Sequence, residues 1–128
     1  MLKLLYSYII ILAREIFSLI LRLMKLDSQQ LERVANLFRA FSEATRLAII
    51  QELKLGELSV SEIVVRLSTS QANVSKQLKL LHDTGLVSRR KLGTQVLYKI
   101  ADPMVLELCA LVCDKLNRDA IKPASLKF

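Results

Sequence analysis

The chain has 128 residues, a net charge of +7 and a pI near 9.7, with 52% apolar but only 5% aromatic side chains. That length accommodates one small domain and an appendage, and the basic balance favours an anionic partner, either nucleic acid or an acidic membrane face. Two cysteines exclude the disulfide framework of a small secreted domain and point to the cytoplasm.

Residues 1–26 form the most apolar segment, with nineteen apolar residues, four basic groups and one acid. The uncharged run Leu4–Ala13 is too short for a span, and Arg14 and Glu15 interrupt the middle. No small-x-small cleavage site precedes Asp27. Three readings stand: an extra helix packed on a dimer, a membrane-interface segment with Lys3, Arg14, Arg22 and Lys25 on lipid phosphates, or a stretch upstream of a true start at Met24. The organisation expected is an apolar appendage over 1–26, one folded domain over 27–122 and a tail over 123–128.

Asp27 followed by Gln30 has the spacing of a reciprocal helix cap, and Leu31, Val34, Ala35 and Phe38 then repeat at helical intervals. Ser42 is placed to cap a second helix holding Leu47, Ile50 and Leu53, which Gly56 ends. Ser59 and Glu62 make a capping box opening a short helix with Ile63, Val64 and Leu67. After Ser68-Thr69-Ser70 a further helix starts at Gln71, with Ser70 as its cap. Two short helices joined by such a turn form a helix-turn-helix unit.

In this last helix Val74, Leu78 and Leu81 form the stripe expected to be buried. The other side carries Ala72, Asn73, Lys76 and Lys79, flanked by Ser75. Asn can read adenine bidentately, an Ala methyl can meet a thymine methyl, and Lys can neutralise phosphate or read guanine. Taken alone, such a face is more often a plain solvated surface with two ordinary lysines. The next segment of the chain decides between the two. Gly85 ends the helix, and two extended runs, Leu86–Lys91 and Gln95–Ile100, flank a Gly93-Thr94 turn. A basic hairpin directly after a polar helix is the wing of a winged helix, and the pair makes a two-part DNA clamp. A last helix, from Met104 to about Asn117 behind Asp102-Pro103, is apolar over too much of its girth for one small domain to bury, which calls for a symmetric dimer seam.

The segments "FRAFSEATRLAII" (38–50), "GELSVSEIVVRL" (56–67), "SQANVSKQLKLLHDTGLVSRRKLGTQVLYKI" (70–100) and "ADPMVLELC" (101–109) together resemble the ArsR/SmtB type of winged-helix repressor over residues 28–118. The resemblance implies a mainly α fold with a small β-hairpin, a homodimer paired through the first and last helices, and an imperfect palindromic operator in double-stranded DNA. It also implies an effector that lifts repression. Carried over by position, Gln71, Asn73, Ser75 and Lys76 fall on the recognition helix, and Arg89, Arg90, Lys91 and Thr94 on the wing.

The departures bear on the effector. Where many members of that family carry Cys-x-Cys at the third helix, this chain has Ser59 and Ser61, and hydroxyls are poor ligands for soft ions. Asp102 stands where a second family site begins, but no histidine comes after it, and His82, on the recognition helix, is read as packing or as a DNA contact. Cys109 and Cys113 remain, four residues apart on one helix face. One reading makes them small buried hydrophobes; the other places four thiols at a dimer axis, suited to Zn²⁺ or another thiophilic ion or to reversible oxidation.

No nucleophile-base set, phosphate-binding glycine loop or paired carboxylates mark an enzyme. The competing class is a winged-helix adaptor for protein contacts or membrane tethering, without an effector site.

Overall fold

A computed structural model describes residues 1–120 and 125–128. The expected boundary between domain and tail at 122/123 lies outside the described residues. The chain forms two compact units, Met1–Ala35 and Asn36–Phe128.

Helix α1 (Leu2–Leu23) has no buried residue. Its 22 residues are long and apolar enough to cross a membrane by length and composition. Helix α2 (Ser28–Phe41) opens on the cap expected at Asp27: the Gln30 N–H donates to Asp27 Oδ1 at 2.8 Å, and the Asp27 N–H donates to Gln30 Oε1 at 2.9 Å. Leu31, Val34 and Phe38, the stripe legible in the sequence, remain exposed.

Helix α3 (Ala44–Leu53) corrects one expectation. Its cap is Glu43, whose carboxylate accepts from the Arg46 N–H at 2.9 Å, while the Ser42 hydroxyl turns back to donate to the Arg39 carbonyl at 2.8 Å. Ser42 is spent on an orphan carbonyl of the preceding helix, so the next acceptor along the chain takes the cap. Strand β1 (Leu58–Ser59) was not foreseen. Its Ser59 also caps α4 (Val60–Leu67) through the full capping box with Glu62.

Ser68 ends α4 in the left-handed region, with φ 51°, and Ser70 then caps α5 (Gln71–Asp83) through the Asn73 N–H at 3.1 Å. At the far end the Leu86 N–H donates to the Leu81 carbonyl at 2.9 Å and the Gly85 N–H to the His82 carbonyl at 3.0 Å. With Gly85 at φ +77°, this is a complete Schellman motif, and it delivers the chain directly into β2 (Val87–Leu92). Gly93, at φ +62° in the first turn position, sends the chain back as β3 (Gln95–Ile100). The antiparallel sheet runs β1-β3-β2. Helix α6 (Met104–Asp119) comes last, with Asp102 Oδ1 accepting from the Met104 N–H at 2.9 Å.

The core of the second unit gathers Ile49, Ile50, Ile63, Val74, Leu78, Leu81, Val87 and Val105, all with fully buried side chains. All three residues of the α5 stripe expected to be buried are in it, so the opposite face of that helix points to solvent.

Candidate nucleic-acid interface

The burial of Val74, Leu78 and Leu81 leaves Gln71, Ala72, Ser75, Lys76 and Lys79 exposed on α5, with Asn73 half-buried at the border. Lys76 has no ion-pair partner among the described residues. Lys79 does: its Nζ lies 2.7 Å from Asp83 Oδ2, one helical turn on, and that bond holds the Asp83 carboxyl below its usual range. His82 sits half-buried in the last turn, 3.8 Å from the same carboxylate.

Asn73 belongs to a hydrogen-bonded row. Its Nδ2 donates to Thr69 Oγ1 at 3.2 Å, and its Oδ1 accepts from Gln77 Nε2 at 3.2 Å. Gln77, only 9% exposed, accepts in turn from Arg46 Nη1 at 2.8 Å. Arg46 also donates from Nε to the Ala40 carbonyl at 2.7 Å and from Nη2 to the Arg39 carbonyl at 2.9 Å. The sequence reading missed both Arg46 and Gln77. The signal was present: position 77 falls three residues after Val74 and four before Leu81, which puts a polar residue on the core stripe. A buried amide there needs a partner from another element.

On the wing the register pairs Arg89 with Tyr98, Arg90 with Leu97 and Lys91 with Val96. Side chains alternate across a strand, so Arg89 and Lys91 share one face and Arg90 takes the other. Arg90 is already engaged: Nε lies 3.0 Å from both carboxylate oxygens of Glu57, and Nη2 lies 2.7 Å from Oε1. That fork holds the Glu57 carboxyl below its ordinary range and raises the Arg90 guanidinium. Of the three basic residues read as wing contacts, Arg90 is thus also a strut between β2 and the entry to β1. Thr94 is exposed at the tip.

The geometry is a solvent-facing polar helix locked by its C-terminal motif to a basic hairpin. Residues 43–89 match the family described as "Bacterial regulatory protein, arsR family". A transcriptional repressor SmtB homolog of Synechocystis is 34% identical over 94 residues, covering 73% of this chain and 70% of that protein. The chain belongs to the ArsR family. It is a winged helix-turn-helix transcriptional regulator of the DNA-binding class, and not an enzyme. A Streptomyces lividans protein named probable mercury resistance operon repressor is 38% identical over 80 residues, 62% of this chain and 64% of its own length. The homodimeric winged helix-turn-helix DNA-binding domain of a Mycobacterium bovis protein superposes with a TM-score of 0.66 at 28% identity, covering 81% of this chain and 97% of that domain.

The cysteines of this ArsR-family chain are both on α6. Cys109 is buried and Cys113 half-buried beside an apolar pocket of about 250 Å³ between α2, α3 and α6, closed on one side by Phe128. Burial first, and then the neighbouring Cys113, pushes the Cys109 thiol above its ordinary range. Among the described residues no cluster of three or more His, Cys, Asp or Glu side chains forms a metal site. One chain offers two sulfur donors, and a closed tetrahedral site needs four ligands.

Proposed function

We propose that this chain is a dimeric repressor that lays α5 in the major groove of each half of an imperfect palindrome, with the wing on the flanking backbone. The observation that carries this reading is the exposed row Gln71, Ser75 and Lys76 on a helix whose opposite side is wholly in the core. Asn73, Lys79, Arg89, Arg90, Lys91 and Thr94 complete the proposed contact set. Leu111, Val112 and Leu116 on α6 and Phe38 on α2 are 50–64% exposed, an apolar surface suited to a second copy. A dimer of this kind contacts half-sites about one helical turn apart. The test is binding-site selection from randomised duplexes: a two-fold related motif supports the reading, and no enriched motif contradicts it.

The proposed effector is a thiophilic metal ion such as Zn²⁺, or an oxidant, acting at Cys109 and Cys113. Two chains together bring the four sulfurs that one lacks, and the name of the Streptomyces relative refers to a soft metal. Repacking of α6 would then alter the spacing of the two α5 helices. Operator affinity measured with added Zn²⁺, Cd²⁺, arsenite or peroxide checks this. An unchanged response in the chain with both cysteines replaced by alanine makes them core residues only.

The regulator is proposed to work in the cytoplasm, with residues 1–26 as an appendage to a DNA-binding domain over 27–122. A second reading, membrane contact by α1, rests on one observation. At 100° per residue Lys3, Ser7, Arg14, Glu15, Ser18 and Arg22 all fall within an arc of about 120°, and the rest of the helix is apolar. A one-sided polar stripe, interrupted by Leu4, Ile11 and Leu21, suits a helix lying in the interface plane, whereas a span would bring Arg14 and Glu15 near the bilayer centre. Flotation of the full chain, but not of a chain starting at Met24, with anionic vesicles supports it; equal behaviour removes it.

A further inference from the structure

Among the hydrogen bonds that hold α5, one row has a fixed direction. A guanidinium carries only donors, so Arg46 can offer Gln77 nothing but N–H. Gln77 must therefore present Oε1 to Arg46 and Nε2 to Asn73, and the bonds run that way, at 2.8 Å and 3.2 Å. Asn73 must in turn present Oδ1 to Gln77, which leaves Nδ2 for Thr69 Oγ1 at 3.2 Å. The one group that cannot reverse sets the sense of each amide beyond it. Arg46 is itself anchored on the Arg39 and Ala40 carbonyls and is only 11% exposed, so the row starts from a fixed point outside α5.

We propose that Arg46 and Gln77 are positioning residues for base readout. They fix the orientation of the Asn73 amide, and the base pair this amide reads is adenine·thymine. The proposal rests on Asn73 being a DNA contact. After its two internal bonds the amide keeps one N–H and one lone pair. A donor beside an acceptor is what the N7 and N6–H₂ edge of adenine requires in the major groove. An asparagine free to turn over presents the two in either order and loses rotamer freedom on binding. One locked beforehand presents a single order at less entropic cost. Neither Arg46 nor Gln77 need touch DNA for this.

The test uses the full chain and the duplex it selects, with a set of duplexes changed at one base pair each, read by fluorescence anisotropy. The position read by Asn73 is the one whose preference Asn73→Ala abolishes. Gln77→Glu keeps an acceptor for Arg46 but has no donor for Asn73, so the amide must turn over. Discrimination at that position is expected to fall about tenfold, the loss of one bidentate pair. The added negative charge weakens all duplexes alike and cancels in the ratio. Thr69→Val, an isosteric change at a half-buried site, removes the far acceptor without touching the core and is expected to lower the same ratio. In the Gln77→Glu, Asn73→Ala double variant discrimination should be no worse than in Asn73→Ala alone. Full discrimination in both Gln77→Glu and Thr69→Val, with loss in Asn73→Ala, overturns the positioning role. Unchanged preference at every position in Asn73→Ala overturns the reading of Asn73 itself, and the proposal with it. A guanine·cytosine pair at that position overturns the base assignment.

Discussion

Arg90 has two claims on one guanidinium: its place on the wing suits a DNA contact, and Glu57 holds it in a bidentate grip at 2.7–3.0 Å. Releasing it should expose a cation without altering the hairpin, because the backbone register of β2 and β3 does not depend on it. Glu57→Gln is therefore expected to raise DNA affinity and to steepen the salt dependence by about one unit of slope per chain, so about two for a dimer. Arg90→Ala should weaken binding on all sequences alike. Salt titrations of the two variants check this, and a Glu57→Gln chain indistinguishable from wild type makes Arg90 purely a strut. Cys109 carries a pH prediction. The folded chain keeps its thiol protonated to higher pH than the unfolded chain, whose ordinary value is 9.0. Above that value the folded state holds the extra proton, so this contribution is fully present below it and is lost as pH rises. The fall in denaturant stability above about pH 9 should be shallower in Cys109→Ala than in wild type. Single residues were the least legible scale. Lys76 and the α5 stripe could be read from spacing, but the partners of Arg90, Lys79 and Asn73 lie on neighbouring turns or other elements, and spacing within one helix does not say which polar group will meet which.

Helix ends, by contrast, were legible because their chemistry is local. Asp27, Ser59 and Ser70 cap the helices their spacing announced, and Gly85 takes the left-handed position after α5. Ser42 failed because two acceptors compete there, and only the folded end of α2 shows that the Arg39 carbonyl claims its hydroxyl. Strand β1 escaped notice because two residues carry no periodicity; it exists because Leu58 and Ser59 pair with Tyr98 and Leu97, far along the chain. Element stability gives a direct check. Ser59→Ala removes one half of the capping box and should cost about 1 kcal/mol in chemical denaturation. Leu78→Ala opens a cavity in the fully buried stripe of α5 and should cost about 2–5 kcal/mol. An equal effect of the two would mean that α5 is not the central support of the unit.

For the whole molecule, the fold class came from element order: short helices, a helix-turn-helix, then a hairpin. The excess of apolar residues on α6 pointed to a symmetric seam, but the residues that line it were not legible, because a single sequence does not show which of them the domain itself covers. Val112 and Leu116 are 53% and 50% exposed on the side of α6 that also lines the cysteine pocket. Replacing both by glutamate should yield a monomer in light scattering, with the palindrome bound far more weakly and a single half-site little affected. A chain beginning at Met24 should keep the wild-type oligomeric state and operator affinity, since α3 to α6 and the sheet all lie beyond it. The most direct measurement is the affinity of wild type and Lys76→Ala for the selected palindrome across a series of salt concentrations. The exposed α5 face predicts weaker binding for the variant and a slope shallower by about one unit per Lys76 contact to phosphate, so about two for a dimer. Identical affinity and slope in the two chains would contradict α5 as the surface that meets DNA.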